Sequence, residues 1–288
     1  MILVTGASGT AGGAVLKEVV VNGVRAMYRS KSDAAKAPKN VEVVIADFAD
    51  KASLIPALKG VETVFIVCGP IPQLVELEGN MIDASRAAGV RHVVLNSALG
   101  AGRFNKSFPS WHRQVEEKLE GSGLSYTILR PNGFMQNIVA YNSGSIRTES
   151  AFYAAMSDAK VSLVDVHDVG AVAAKVLLHP EGHANKTYEL NGPEALSNAE
   201  IAKRLSKVTG REIKYVDIPE AAQRKAMLDV GMPEGQVTAI LELQEYYRSG
   251  SCAVVDRTVA EILGREPRTL DEFLRENVAN FQVQAASA

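Results

Sequence analysis

The chain has 288 residues, nearly half of them hydrophobic, with 31 basic and 33 acidic residues and a formal net charge of −2. That length can bury a large core, and a near-balance of charge with no basic tract excludes the electrostatic footprint of a nucleic-acid partner. No apolar run is long enough to span a bilayer, the first residues lack the basic start of a secretory signal, and Cys68 and Cys252 form no CxxC pair, so the chain reads as cytoplasmic and in contact with no membrane.

Ile2-Leu3-Val4 reads as a buried strand, and Ala14 to Val21 carries apolar residues at helical spacing. Val24 to Tyr28, Val41 to Ile45 and Val61 to Val67 follow as strands. Gln73 to Ala88 is helical and ends at Gly89. His92 to Leu95 is a strand, Trp111 to Leu119 a helix ended by Gly121, and Tyr126 to Leu129 a strand. Strands that alternate with helices imply right-handed crossovers and a parallel sheet covered on both faces. The expected fold is therefore α/β, a doubly wound parallel sheet of Rossmann type over residues 1–190. Ligands of such sheets bind outside the carboxyl ends of the strands.

Beyond about residue 190 helices dominate. Ser197 with Glu200 three residues on is a capping box, and helices are expected over Ser197 to Thr209, Pro219 to Val230, Glu234 to Arg248, Val259 to Leu263 and Leu270 to Asn277. Only Ile213 to Val216 reads as a strand, and the tail from Gln282 reads as frayed. Residues 191–288 are thus expected to form a small, mainly helical lobe that covers a substrate.

Gly6-Ala7-Ser8-Gly9-Thr10-Ala11-Gly12 has the spacing GxxGxxG between a strand and a helix. Gly6 suits a tight turn, Gly9 lets backbone approach a pyrophosphate, and Gly12 lets the helix pack close to the strand. Ser8, Thr10 and Ala11 then offer the N–H groups of the first helical turn to phosphates. About twenty residues on, where an acid would hold a ribose 2′-hydroxyl, the chain reads Met27-Tyr28-Arg29-Ser30-Lys31. Arg29 offers a planar fork for a 2′-phosphate, so NADP(H) is expected, with NAD(H) as the second choice. Asp47 either accepts from the adenine amine, with Phe48 beside the ring, or caps a helix. Gly69, between Cys68 and Pro70, lets backbone approach a ribose or the nicotinamide, while Cys68 itself is either at the cofactor or a small buried hydrophobe.

The stretches TGASGTAG, MYRS, ADFAD, NMIDASRAAGVRHVV, GLSYTILRPNGFMQN, VHDVGAVAAKVL and KTYELNGPEALS occur in order from the first residue to about 200. Together they resemble the NmrA-like branch of the atypical short-chain dehydrogenase/reductases, and within it the triphenylmethane, quinone and azo-dye reductases. The resemblance implies a Rossmann domain, a preference for NADP(H) and a small lobe at the nicotinamide end. It does not specify a substrate.

One departure from the parent pattern matters. Where the wider superfamily has Tyr-x-x-x-Lys, this chain has Phe108-Pro109-Ser110-Trp111-His112. Phe cannot donate a proton, and His is a weaker cation than Lys near neutral pH. The chemistry that survives is hydride transfer to a strongly electrophilic acceptor, such as a quinone, an azo group or a cationic dye, with the protein supplying proximity and a shaped pocket. No flavin is required. His112 then protonates the product, bonds a ribose hydroxyl or simply packs. Ser97 resembles the superfamily's active-site serine or is a turn residue. Pro131 closes the sixth strand beside the cofactor. Asn132, Phe134 and Asn137 at the same edge, together with Trp111, are candidates for the wall of an aromatic acceptor site. No histidine pair has metal-ligand spacing, so no metal is expected. The expected partner is a small aromatic acceptor, and the expected state a monomer or homodimer. The alternative is a redox sensor that binds dinucleotide without turnover, which the missing Tyr and Lys fit equally.

Overall fold

Ile2, Leu3 and Val4 form β1 (Ile2–Val4), an inner strand of a seven-stranded sheet, in a computed structural model that describes residues 1–19 and 23–283. In chain order there follow α1 (Thr10–Glu18), β2 (Val24–Tyr28), α2 (Lys31–Ala34), β3 (Glu42–Ile45), α3 (Lys51–Ala57), β4 (Thr63–Ile66), α4 (Leu74–Ala87), β5 (His92–Asn96), α5 (Ser107–Glu120) and β6 (Ser125–Pro131). Next come α6 (Gln136–Glu149), β7 (Ala151–Ala154), β8 (Lys160–Val161), α7 (Val166–Leu178) and β9 (Lys186–Leu190). The chain ends with β10 (Leu196–Ser197), α8 (Asn198–Thr209), β11 (Lys214–Asp217), α9 (Glu220–Asp229), α10 (Glu234–Arg248), α11 (Thr258–Leu263) and α12 (Leu270–Glu276).

Two compact units result. The first comprises Met1–Pro131, Val166–Leu190 and Ala260–Gly264. Its strand order is β3-β2-β1-β4-β5-β6-β9, with every pairing parallel. This is the doubly wound fold expected from the alternating pattern. β2, β4 and β5 are buried along their whole length, which is why they read as continuous apolar runs rather than as alternating ones. β3 lies at the edge and is largely exposed. α7 packs on α1 through Gly170, where a Cβ would stand 2.9 Å from the Ala14 carbonyl oxygen.

The second unit comprises Asn132–Asp165, Asn191–Val259 and Arg265–Ala288. It holds two small two-stranded sheets, β7 with β11 and β8 with β10, and an apolar core that includes Ile138, Phe152, Leu205, Leu270 and Phe273. Its helices α8 and α12 both begin with a capping box, Ser197 with Glu200 and Thr269 with Glu272.

A boundary at residue 190 follows the chain linearly, whereas the structure groups 132–165 with the later helices. The first crossing falls inside the run Arg130-Pro131-Asn132-Gly133 and another at Asn191-Gly192-Pro193, each too short to read as a linker. α1 starts four residues before the expected Ala14, because Gly9 already serves as its N-cap. The expected end of that helix, Val20 and Val21, lies outside the described residues, as do residues 284–288 of the expected frayed tail. α6, β7, β8, β9 and β10 were not anticipated, since short strands and a polar helix carry little periodicity.

Candidate cofactor-binding and active site

The turn between β1 and α1 is built on glycine for steric reasons that the structure makes explicit. Gly6 has φ +58°, and a Cβ there would stand 2.7 Å from Val67 Cγ1. A Cβ on Gly12 would fall on the carbonyl oxygens of Thr5 and Gly6. α1 therefore lies as close to the strand exit as backbone permits. Gly9 caps the helix with extended backbone and no side-chain bond, so the first-turn amides of Thr10, Ala11 and Gly12 have no side-chain acceptor. Gly6, Ser8, Gly9 and Thr10 are exposed, while Ala11 and Gly12 are buried beneath them.

The exits of β2, β3 and β4 lie beside this turn in the sheet order. Arg29, after β2, is exposed and has no hydrogen bond or ion pair among the described residues. Ser30 caps α2 by accepting from the Asp33 amide at 3.1 Å. Asp47 accepts from the Ala49 amide at 2.9 Å, whereas Asp50 caps α3. Phe48 is buried, and Asn80 of α4 donates to its carbonyl oxygen at 3.0 Å. The Val67 amide donates to the Thr5 hydroxyl at 3.0 Å, and the Cys68 amide donates to Glu78 Oε1 at 2.8 Å. Gly69 and Pro70 are exposed. A Cβ on Gly69 would meet nothing within 4 Å, so the fold itself does not demand glycine there. Burial and the neighbouring Glu78 push the Cys68 thiol up to about 11, with Arg29 and Asp47 close enough to act on it.

The β5–α5–β6 segment holds a buried ionic centre. Phe108, His112, Val115, Glu116 and Leu119 share the inner face of α5. The Ser97 hydroxyl donates to Glu116 Oε1 at 2.6 Å. Arg130 donates to both oxygens of the same carboxylate, at 2.8 and 2.6 Å, and Arg113 adds a bond at 3.1 Å. Four donors on a fully buried carboxylate offset its desolvation. His112 is buried, its Nδ1 has no partner, and burial lowers it to about 4 despite the opposing charge of Glu116. It is therefore a neutral imidazole near neutral pH and holds no imidazolium proton to give. Asn96 Oδ1 is likewise buried without a partner. Trp111 is half-buried, edge-on to Phe108 with ring centroids 5.3 Å apart, and packs on the first unit's core. Pro131 ends β6, paired with Leu190.

Asn132, Phe134 and Asn137 belong to the second unit. Asn132 is buried, and both amide protons are engaged, to Asn191 Oδ1 and the Cys252 carbonyl, each at 2.9 Å. Its Oδ1 accepts from the Gly133 amide at 2.8 Å, so it fastens backbone and has no donor left over. Phe134 is half-buried and bridges to Val164, and Asn137 is exposed.

Sequence reasoning missed Glu116, Arg130 and Glu78 as parts of the site. Glu116 and Glu78 sit in helical patterns where a carboxylate reads as a solvated face. The only signal available was their placement on the apolar face of their helices.

The profile of the NmrA-like family matches residues 1–274. An NAD(P)H azoreductase from Xenophilus azovorans is 35% identical over 288 residues, covering 98% of this chain and 99% of that one. An NADPH-dependent quinone oxidoreductase of Escherichia coli, solved in complex with NADPH, superimposes with a TM-score of 0.88 at 29% identity and covers 96% of this chain and 100% of that one. The triphenylmethane reductase of a Citrobacter species, solved with NADP(H), has the same fold, with a TM-score of 0.86 at 24% identity over 96% of this chain and 99% of that one.

Proposed function

This chain belongs to the NmrA-like family, and on that premise we propose that it is an NADP(H)-dependent reductase of electrophilic aromatic acceptors, of the quinone, azo or triphenylmethane-dye class. The observation that carries the reading is the glycine turn: the places of two Cβ atoms are closed by protein, while the turn itself is exposed and its first-turn amides have no side-chain cap. Such a helix start suits a diphosphate. The relatives named for NAD(P)H chemistry support it from outside the site.

The residues present fit a dinucleotide. Gly6, Ser8, Gly9, Thr10, Ala11 and Gly12 would hold the diphosphate, and the unpaired Arg29 would hold a 2′-phosphate. Asp47 and Phe48, after β3, would face the adenine, and Cys68, Gly69 and Pro70 after β4, with Pro131 ending β6, would face the nicotinamide half. When bound, the reduced nicotinamide supplies a hydride. The chain's own contribution is orientation. Asn96 Oδ1 and His112 Nδ1 are buried polar atoms without protein partners, and each costs about 1–3 kcal/mol until a ligand or water bonds it. Ser97, whose proton is held by Glu116, presents lone pairs rather than a donor. With Phe108 in place of a tyrosine and His112 neutral, no side chain of α5 protonates the product, and water does so. We assign Trp111, Asn132, Phe134 and Asn137 to the acceptor, Asn132 by fastening the Gly133 backbone.

The test is a panel of quinones, azo dyes and triphenylmethane dyes mixed with NADPH and purified protein, followed by the loss of reduced-nicotinamide absorbance. Turnover above the uncatalysed rate is expected for at least one class. Tight NADPH binding with no turnover across the panel would replace this reading with the redox sensor.

A further inference from the structure

α4 carries three buried polar side chains, of which Ser85 bonds the Met81 carbonyl within the helix while Glu78 and Asn80 reach other elements. Glu78 is fully buried, and Asn80 is 7% exposed. Asn80 holds the Phe48 carbonyl at the β3 exit, and Glu78 holds the Cys68 amide at the β4 exit. Val67, one residue earlier, is held by Thr5 and stands against Gly6. Two successive amides at the β4 exit are thus captured by side chains from opposite directions. Glu78 Oε2 is buried with no partner, and no cation pairs with the carboxyl. A group so placed would be replaced at no loss by leucine if packing were its only task.

We propose that Glu78 is a positioning residue for the dinucleotide: its carboxyl, acting through the Cys68 amide, sets the Cys68–Pro70 loop against the glycine turn. The inference rests on the cofactor reading above and goes beyond it, to a residue that does not touch the cofactor.

The protonation state follows from the surroundings. Burial pushes Glu78 up to about 8, opposed only by the bond from Cys68. At neutral pH the proton sits on Oε2, since Oε1 is the acceptor. Above about pH 8 a second negative charge appears under a loop meant to adjoin a diphosphate. The other charged groups on neighbouring elements are accounted for. Cys68, at about 11, stays a thiol, and Arg29 and Asp47 act on that thiol. Lys118 of α5 lies against Gly79 and pairs with Asp83 at 2.8 Å. Glu116 is bound by Ser97, Arg130 and Arg113. Asp50 and Lys51, opening α3, and Glu76 of α4 are not buried. A 2′-phosphate has completed its second ionisation by about pH 7, which leaves Glu78 as the group that titrates in the window.

The experiment measures NADPH dissociation constants calorimetrically at pH 7, 8 and 9 for the intact wild type, Glu78→Gln and Glu78→Leu, with hydrogen exchange of the Cys68 and Gly69 amides as a second readout. Wild-type affinity is expected to fall by up to about tenfold between pH 7 and 9, as the competent fraction drops. Glu78→Gln, which reproduces the neutral acid, should bind like wild type at pH 7 and show a flat profile. Glu78→Leu should bind several-fold more weakly at pH 7, with faster exchange at Cys68. If Glu78→Gln keeps the alkaline weakening, or if wild type shows none, the positioning role is overturned while the cofactor reading stands. A wild type that binds no NADPH at any pH overturns the cofactor reading, and this one with it.

Discussion

The Ser97 hydroxyl and the Glu116 carboxylate meet at 2.6 Å across 19 residues of sequence, with Glu116 fully buried. Arg130 clasps the same carboxylate from β6. The serine at the β5 exit is therefore oriented by a charge that is itself held from the next strand. Glu116→Ala leaves a half-buried guanidinium without its counter-ion and frees the Ser97 proton. The expected loss is about 3 kcal/mol of stability, against about 1 kcal/mol for Ser97→Ala, read from urea midpoints at unchanged m-value. A double-mutant cycle that returned no coupling between the two would show that the bond contributes nothing to holding the site.

Arg29 gives a sharper functional test, because it makes no hydrogen bond or ion pair within the described residues. Arg29→Ala should leave stability within about 0.5 kcal/mol of wild type. It should weaken NADPH by about tenfold or more, as expected for a lost charge-assisted bond, and leave NADH nearly unaffected. Parallel losses for both coenzymes would move the 2′-phosphate elsewhere.

Two glycines separate fold from ligand. At Gly12 an added Cβ falls on backbone carbonyl oxygens; at Gly69 it falls on open space. Gly12→Ala is expected to destabilise the protein by more than about 2 kcal/mol and to abolish cofactor binding. Gly69→Ala should melt like wild type and still weaken NADPH. Unchanged affinity in Gly69→Ala would remove that residue from the cofactor site.

Two buried groups tilt the pH–stability curve in opposite senses. His112 is lowered to about 4 in the folded state, so between about pH 6.5 and 4 the unfolded chain binds more protons, and stability falls as the pH falls. Glu78 is raised to about 8, so between about pH 4.5 and 8 the folded chain binds more protons, and stability falls as the pH rises. Glu78→Gln should therefore gain about 3 kcal/mol at pH 7 and nothing near pH 4. His112→Gln should flatten the acid limb. Thermal melts of both variants between pH 4 and 8 check the signs.

Much of the first unit could be read from the chain alone, because β2, β4 and β5 are buried along their whole length and alternate with helical patterns. The glycine turn was equally plain: at Gly6 and Gly12 the place of a Cβ is closed by protein, and Gly9 between them caps the helix. The ionic centre was not legible, since Glu116 and Arg130 are 14 residues apart on different elements and each alone looks like a surface charge. Glu78 was hidden the same way. The grouping of 132–165 with later helices depends on long-range packing that no local composition announces. Nor did the sequence announce that the Asn132 donors turn inward to Asn191 and Cys252.

The thiol beside the β4 exit has a chemical corollary. Only the deprotonated sulfur attacks Michael acceptors or peroxides. Held near 11, Cys68 is anionic in roughly one molecule in several thousand at physiological pH. On the function proposed above, an electrophilic acceptor would meet at this loop a thiol that burial, the largest cause of its raised value, keeps protonated and slow to be alkylated.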